Sequence, residues 1–364
     1  IFTSAHYLKS PEKIAIIKKL LPNQLKFLIK EQVCLYEYFV PEYKNERIFP
    51  QTQLLKLNYH EISMSGLEAR KTYFMDQKKD GEKAVPFYIE TFDDKNILTT
   101  INGTTLFYKT ISFIENKISN NADIKNNLPN DITVDDTMIH NNKIFVSFRD
   151  RNKACESREI YAADINFDFL NFKKFYSHGS IGECKIGWGG GRMAVFDDNG
   201  SPSILVSTRY PNKKNYLLLD KYNKEIETVM LLINIETREA RPITAGHRNP
   251  QGLFVNKQNI ILSTEHGPRG GDEVNKIIEG RNYGWPTSSY GESYDKTATK
   301  LKYKKNHSKY GFEEPIYAFV PSIGISQIIK VPQSFALKWQ NNYLITTLRN
   351  LSIYRVMFNE NYSR

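Results

Sequence analysis

Long apolar runs are missing from this sequence. Its most hydrophobic segments, such as Asn259–Thr264 and Tyr343–Thr347, are short, whereas a membrane-spanning helix needs roughly 20 consecutive apolar residues. The sequence therefore predicts no transmembrane segment.

Cysteine is also scarce, with three in 364 residues. No Cys-x-x-Cys pair or Cys/His cluster occurs, which argues against a metal site built on thiolates. Cys155 and Cys184 lie close in sequence and Cys34 lies apart. An oxidising compartment would give one disulfide between the first two and one free thiol, whereas a reducing compartment would leave three thiols. Both alternatives stay open.

Acidic residues are the minority among the charges, since 40 Asp and Glu stand against 50 Lys and Arg, a formal net charge of +10. The lysines are scattered and form no basic patch interleaved with aromatic residues, so we expect no nucleic-acid partner. Hydrophobic residues make up 40% of the chain and charged residues 25%. These values are typical of a globular protein and exclude a disordered or fibrous chain.

The N-terminal region is predicted to be helical. Ser10 and Pro11 form a helix start, because a polar N-cap followed by proline is a typical first turn. Apolar residues then recur at helical spacing up to Pro22, and a second helix is predicted over Leu25–Ile29. We assign residues 1–35 to a helical segment packed on the following domain, with a lysine-rich membrane-surface helix as the alternative.

From about Phe49 onward the sequence predicts short β-strands. A turn residue followed by four or five β-formers recurs, mostly near the roughly 40–50-residue spacing of a propeller blade. We interpret these segments as the inner strands of blades, which line a central channel, although a β-sandwich would show similar strands. The segments are Asn96–Thr100, Lys143–Ser147, Ser203–Thr208, Asn259–Thr264 and Asn342–Thr347.

Three polar, Gly-rich segments carry the most informative pattern. A cation and an amide, Arg248 and Asn249, precede one strand, and an acidic loop follows the next. Gly267 allows close approach of backbone carbonyls to a ligand, and Asp272 and Glu273 supply the hard oxygens that calcium prefers. This pattern predicts a metal loop beside an anion-binding arginine, with an ordinary polar loop as the alternative. The segments are Gly246–Leu253, Ser263–Glu273 and Gly280–Pro286.

Together these segments resemble the signature of the glucose/sorbosone dehydrogenase family, the soluble quinoprotein sugar dehydrogenases. The resemblance covers about Cys184–Val356 and includes the Gly190–Met193 turn and Pro321–Ser326. It implies an all-β protein, a six-bladed β-propeller over residues 49–364 that is complete or lacks part of its last blade. Without the N-terminal helices the chain is slightly short for a full propeller, so we expect a fragment.

The same resemblance implies an activity and its cofactors. The family uses pyrroloquinoline quinone (PQQ) and Ca²⁺ to oxidise an aldose sugar in the periplasm or outside the cell, and an electron acceptor then reoxidises the quinone. The carbonyls of Gly267 and Pro268 are implied to hold the calcium that binds the quinone. Arg248 and Asn249 are implied to contact the quinone oxygens or the substrate at the catalytic centre.

Further roles follow from the resemblance. Arg349 stands where the family places a lysine against a cofactor carboxylate, and His266 flanks the calcium as a cofactor contact. Glu273 and the carbonyl of Tyr283 are implied to hold a second, structural calcium, with Asp272 in the same acidic loop.

Two departures from the family concern the catalytic base. The position of the family's catalytic histidine is Trp188, and the strand that usually ends in Gly-Asp ends in Ser207–Arg209. His266 and His178 remain the candidates for a base, while His247 is expected to be structural. The departures favour a second hypothesis, a catalytically inactive, calcium-stabilised propeller that binds carbohydrate or protein.

Overall fold

The computed structural model describes twelve stretches of the chain, all C-terminal to residue 86. The predicted N-terminal helices, Trp188, Cys34, Cys155 and Cys184 lie outside them, so the predictions made there stay predictions. The described residues are 87–92, 95–100, 106–112, 117–130, 132–150, 157–166, 168–178, 190–209, 228–294, 303–332, 339–349 and 352–362.

The described structure is all-β, apart from short 3₁₀-helical pieces such as Ser308–Tyr310. Among the described residues, no helix has the length and apolar character to cross a membrane. The strands are β1 (Phe87–Phe92), β2 (Lys95–Thr100), β3 (Leu106–Ser112), β4 (Lys117–Asn126), β5 (Ile132–His140), β6 (Lys143–Asp150), β7 (Ser157–Asp164), β8 (Phe169–Leu170), β9 (Lys173–His178), β10 (Met193–Asp198), β11 (Ser201–Arg209), β12 (Thr228–Asn234), β13 (Ala240–Ala245), β14 (Pro250–Val255), β15 (Ile261–Glu265), β16 (Asp272–Ile277), β17 (Tyr317–Phe319), β18 (Ile325–Lys330), β19 (Asn342–Thr347) and β20 (Ile353–Met357).

These strands form antiparallel meanders in which sequence neighbours pair. Three sheets have four strands, in the orders β5-β6-β7-β9, β10-β11-β12-β13 and β14-β15-β16-β17, and a three-stranded sheet β18-β19-β20 follows. A fifth sheet, β1-β2-β3-β4, ends with the short β8 parallel to β4. Each first strand contacts the first strand of the next sheet, from β1 through β5, β10 and β14 to β18. This radial array of meanders is a β-propeller. Five sheets lie within the described residues, and six blades stay a prediction.

All five predicted segments are β-strands, but their predicted place in the blade is wrong. Each is the second strand of its sheet (β2, β6, β11, β15 and β19), whereas the first strands meet around the axis. A second strand has partners on both edges and neighbouring sheets on both faces, so its sequence reads as a continuous apolar run. In β11, Ile204, Leu205 and Val206 are each at most 2% exposed.

Apolar cores fill the spaces between adjacent sheets. Phe145 of β6 packs in one cluster with Ile204 of β11, and its ring lies edge-on to Phe175 at 5.2 Å between centroids. Leu205 and Leu253 share the next core. Burying one such side chain contributes about 1.5–3 kcal/mol, so the sheets are fixed relative to one another and carry the loops at their ends in fixed positions.

Candidate active site

The pairing of β14 with β15 brings two of the predicted segments together at one end of their sheet. Pro250, the first residue of β14, lies opposite Glu265, the last residue of β15. The residues just outside the strands therefore become neighbours, and the backbone N–H of His266 donates to the carbonyl of Asn249 at 3.0 Å. Arg248 and Asn249 thus lie beside His266, as the sequence predicts.

A buried carboxylate fixes this arrangement. Glu265 is 4% exposed, and its Oε2 accepts the backbone N–H of Arg248 at 3.1 Å. Its Oε1 lies 2.5 Å from Nδ1 of His247 and accepts from the amide of Asn275 at 3.2 Å. Charged hydrogen bonds inside a protein are stronger than neutral ones, so Glu265 locks the start of β14 to the end of β15.

The expectation that His247 is structural is confirmed. The residue is fully buried, and its Nε2 lies 2.8 Å from the hydroxyl of Thr244, so both ring nitrogens are bonded. The imidazole stacks on the ring of Tyr283 with centroids 4.6 Å apart. His247 therefore has no nitrogen left for a ligand.

The guanidinium of Arg248 lies against the aromatic ring of Trp285. Nη1 donates to the carbonyl of His266 at 2.8 Å, and Cζ lies 5.2 Å from the ring centroid of Trp285, within cation–π range. The ring of Tyr303 packs 5.3 Å from that of Trp285. Burial raises the pKa of Tyr303, while the charge of Arg248 acts in the opposite direction. The arginine is therefore held rigid, with one face against aromatic rings.

Two buried polar atoms of this cluster lack a hydrogen-bond partner among the described residues. The Nε of Arg248 and the Nε2 of His266 are buried and make no hydrogen bond within the described part of the chain. Buried polar groups are almost always paired in native proteins. Both residues line one cleft with Gly267 and Trp285, so the geometry indicates a ligand that offers oxygen acceptors in this cleft.

The amide of Asn249 lies beside the imidazole of His266. Its Nδ2 lies 3.4 Å from Nδ1 of His266, and its Oδ1 accepts from Gln251 Nε2 at 2.7 Å, which fixes the orientation of the amide. The other ring nitrogen, Nε2, is buried and makes no hydrogen bond within the described residues, and His266 lines the cleft.

Asp272 serves the acidic loop as an anchor for its backbone. The carboxylate is 2% exposed, and its Oδ1 accepts the N–H of Gly267 at 3.1 Å. Oδ2 accepts from the N–H groups of Ile323 and Ile325, at 3.0 and 2.9 Å. One carboxylate thereby ties the turn at Gly267 to the start of β18 in the next sheet.

Gly267 is required by this turn. A Cβ added at this position would lie 2.0 Å from the carbonyl oxygen of Gly271, far inside any van der Waals contact. The loop folds back on itself here, and only glycine allows backbone to pass so close to backbone. The close approach that the structure shows is to the loop itself, and an approach of the Gly267 carbonyl to a ligand stays a prediction.

Glu273 and the carbonyl of Tyr283 are also brought together, but with a side chain between them. Nδ1 of His307 lies 2.9 Å from the Tyr283 carbonyl oxygen, and its Nε2 lies 3.4 Å from Oε1 of Glu273. The His307 side chain is 1% exposed and stacks on Tyr290 at 5.2 Å. Burial alone lowers the pKa of His307, but the Glu273 carboxylate and further acceptors raise it above the usual value.

The Gly-Gly-Arg turn lies at the corresponding end of the preceding sheet. Gly191 accepts a hydrogen bond from the Ser147 hydroxyl at 2.5 Å. Nη1 of Arg192 lies 3.2 Å from Asp136, whose Oδ2 accepts the N–H of Met193 at 2.8 Å. The turn therefore connects β10 to β5 and β6 of the neighbouring sheet.

The remaining predicted residues lie on other sheets. Arg349 follows β19, at the end of its sheet that corresponds to the position of Arg248, and its Nη1 donates to the carbonyl of Ser322 at 2.6 Å. His178 ends β9, the outermost strand of the β5 sheet, and so lies two sheets away from the cleft. Within the described residues, no three His, Cys, Asp or Glu side chains form a cluster that could hold a metal ion.

Part of the chain matches a known protein family. Residues 233–364, which include the whole β14–β15 cluster, match the family model described as Glucose / Sorbosone dehydrogenase. These 132 residues, of 364 in the chain, are similar to the glucose/sorbosone dehydrogenases. The predicted family is therefore confirmed for the part of the chain that builds the cleft.

Two curated relatives align with short parts of the chain. Aldose sugar dehydrogenase YliI of Escherichia coli (strain K12) is 34% identical over 109 residues, which is 30% of this chain and 29% of that protein. Quinoprotein glucose dehydrogenase B of Acinetobacter calcoaceticus is 54% identical over 43 residues, 12% of this chain and 9% of that protein. The aligned part thus spans less than a third of the length of either relative.

Solved structures with a similar fold cover more of the chain. The apo-form of soluble aldose sugar dehydrogenase from Escherichia coli superposes with a TM-score of 0.55 at 19% identity, covering 76% of this chain and 87% of that chain. The PQQ-bound form of aldose sugar dehydrogenase from Streptomyces coelicolor gives a TM-score of 0.52 at 14% identity, covering 78% and 80%. At these identities the likeness shows the fold, a β-propeller shared with the glucose/sorbosone dehydrogenases.

Proposed function

We propose that this protein is a sugar dehydrogenase that binds PQQ in the β14–β15 cleft and oxidises an aldose. The observation that carries the proposal is the pair of buried, unmatched atoms at Arg248 and His266, beside the aromatic face of Trp285. The family of residues 233–364 supports it, as does the PQQ-bound relative with a similar fold.

The residues of the cleft fit the chemistry of this cofactor. PQQ is a flat, conjugated molecule with three carboxylates and two quinone oxygens, so it needs hydrogen-bond donors, cations and an aromatic surface. Arg248 supplies a cation whose Nε is unmatched, and His266 supplies an unmatched ring nitrogen, Nε2. Trp285 offers a ring face. When bound, PQQ supplies a two-electron acceptor for the hydride of the sugar carbon.

Each side chain then has a distinct task. Arg248, anchored through Nη1 to the His266 carbonyl, directs its remaining N–H groups at a quinone or substrate oxygen, where developing negative charge is stabilised. Asn249 orients His266, which contacts the ligand through Nε2. Arg349, on the next sheet, is proposed to pair with a cofactor carboxylate. Glu265, which accepts the backbone N–H of Arg248, acts as a positioning residue for that arginine.

Calcium at the carbonyls of Gly267 and Pro268 belongs to the same proposal. Carbonyl oxygens are good calcium ligands, and the turn that presents them is fixed by Asp272 from two directions. A periplasmic or extracellular location and an external electron acceptor complete the proposal.

A second candidate function is a catalytically inactive propeller that binds carbohydrate or protein. It is favoured by Trp188, which stands where the family has its catalytic histidine. His266 stays a candidate base, and its Nδ1 lies 3.4 Å from the amide nitrogen of Asn249. Loss of a general base typically lowers the rate by about 10²–10⁴-fold.

Reconstitution separates the two candidates. The purified chain is incubated with calcium and PQQ, a panel of aldoses is supplied, and reduction of a dye acceptor is followed. Sugar-dependent dye reduction that disappears when PQQ is omitted supports the dehydrogenase. A calcium-dependent rise in melting temperature without PQQ binding supports the inactive propeller, and tight PQQ binding counts against it. If the protein shows no PQQ binding and no turnover, the proposed use of the quinone is contradicted.

A further inference from the structure

We propose that His307 takes the place of a structural metal ion between Glu273 and Tyr283, so that this position is closed to calcium in the wild-type protein. The resemblance to the family implies calcium at these two oxygens, whereas the structure holds an imidazole there. The inference concerns stability and does not depend on the use of PQQ.

The ring bridges both oxygens with its own two nitrogens. Nδ1 of His307 lies 2.9 Å from the carbonyl oxygen of Tyr283, which is an ordinary hydrogen-bond length. Nε2 lies 3.4 Å from Oε1 of Glu273, an ion-pair contact in which Nε2 makes no hydrogen bond within the described residues. A calcium ion requires six to eight oxygens at about 2.3–2.6 Å. It could reach these oxygens only after the imidazole had left the space between them.

The surrounding residues hold the imidazole in that space. Tyr290 stacks on the ring with centroids 5.2 Å apart, and the Tyr290 hydroxyl is itself fixed by the carboxylate of Glu314 at 2.7 Å. Gly284 has a φ of +95°, and a Cβ there would lie 3.0 Å from Nδ1 of His307. The absence of a side chain at Gly284 thus leaves room for the ring, and displacing the ring would break contacts on several sides.

The bridge also explains how the loop over the cleft is held. Glu273 belongs to β16, Tyr283 follows that strand, and His307 lies beyond Trp285 in the polar insertion, residues 278–316 between β16 and β17. One side chain therefore ties the far end of the insertion to the sheet beneath it. A metal ion would make the same connection but could dissociate, whereas the imidazole is part of the polypeptide.

The first test compares the calcium response of wild-type protein with that of Glu273→Gln. Both are stripped with a chelator, kept free of PQQ, and melted with and without saturating calcium. The proposal predicts the same calcium-dependent change in melting temperature for both, because any calcium at Gly267 and Pro268 is common to them. A calcium response that is present in wild type and absent in Glu273→Gln would overturn the proposal.

The second test removes the imidazole from the space between Glu273 and Tyr283. His307→Ala exposes the Glu273 carboxylate and the Tyr283 carbonyl, so we expect a lower melting temperature without calcium and a calcium-dependent gain about 2 °C or more above that of wild type. The matched control is the double variant His307→Ala/Glu273→Gln, in which the additional gain should vanish. An equal calcium gain in wild type and His307→Ala would contradict the proposal, and if His307→Ala fails to fold, the Glu273→Gln comparison decides alone.

Discussion

The carboxylate of Glu265 accepts the backbone N–H of Arg248 at 3.1 Å, although the two residues are 17 positions apart in the sequence. This bond joins the loop before β14 to the end of β15. It sets the position of the arginine main chain, while the carbonyl of His266 fixes the guanidinium from the other side. The candidate active site thus depends on a buried carboxylate at the end of β15.

Replacing Glu265 with glutamine tests this dependence. The side-chain shape is kept, but the charge that bonds His247, Arg248 and Asn275 is lost. We expect the free energy of unfolding to fall by about 1–3 kcal/mol and PQQ to bind at least about tenfold more weakly. Urea denaturation and a quinone titration measure the two effects. The control is Glu279→Gln, whose side chain is 61% exposed and pairs with Arg241 on the surface; equal losses in both variants would refute the role of Glu265.

Asp272 gives a second prediction, on the integrity of the acidic loop. In Asp272→Asn one oxygen becomes an NH₂ group, which cannot accept from the backbone N–H of Gly267 or from those of Ile323 and Ile325. A buried N–H without an acceptor costs about 1–3 kcal/mol, so chemical denaturation should show a loss of this size. Asp164→Asn, at an exposed pair with Lys143, should stay within about 0.5 kcal/mol. If Asp272→Asn loses no more stability than Asp164→Asn, the hydrogen bonds of Asp272 contribute nothing to the free energy of unfolding.

Glu90 gives a prediction on pH dependence. Burial and the nearby charge of Asp136 raise the pKa of Glu90 to about 8, from 4.5 for an unperturbed glutamate. The folded state therefore favours the protonated carboxyl, so this contribution to stability is complete below pH 4.5 and is lost as the pH rises through 8. Glu90→Gln stays neutral, and we expect it to be more stable than wild type at pH 9, with a difference that shrinks towards pH 5. Stability curves that stay parallel across this range would contradict the prediction.

Much of the fold can be read from the sequence because burial leaves a direct trace in it. The apolar run in Asn342–Thr347 correctly locates β19, and the same pattern locates β2, β6, β11 and β15. The order of strands within a sheet leaves no such trace. An apolar run shows that a strand is buried on both faces, but it does not show how far the strand lies from the propeller axis. The second strands are therefore predicted, wrongly, as inner strands.

The sequence likewise predicts some residues of the candidate site and not others. The proximity of Arg248, Asn249 and His266 is predictable, because a motif places them at the ends of strands that pair. His307 is not predictable, since it lies in an irregular insertion without periodicity and reaches Glu273 only through the tertiary fold. Glu265 is visible in the sequence as a strand-end carboxylate, but its bond to Arg248 depends on the register of β14 with β15.

The central claim is that the β14–β15 cleft binds PQQ through Arg248, and a binding titration tests it most directly. The quinone is titrated into calcium-loaded protein and followed by its absorbance, for wild type, Arg248→Lys and the exposed control Arg281→Lys. Lysine keeps the charge but loses the planar fork of donors. The account predicts saturable binding to wild type and to Arg281→Lys, and at least about tenfold weaker binding to Arg248→Lys. Absence of binding to wild type, or equal binding to all three proteins, would contradict it.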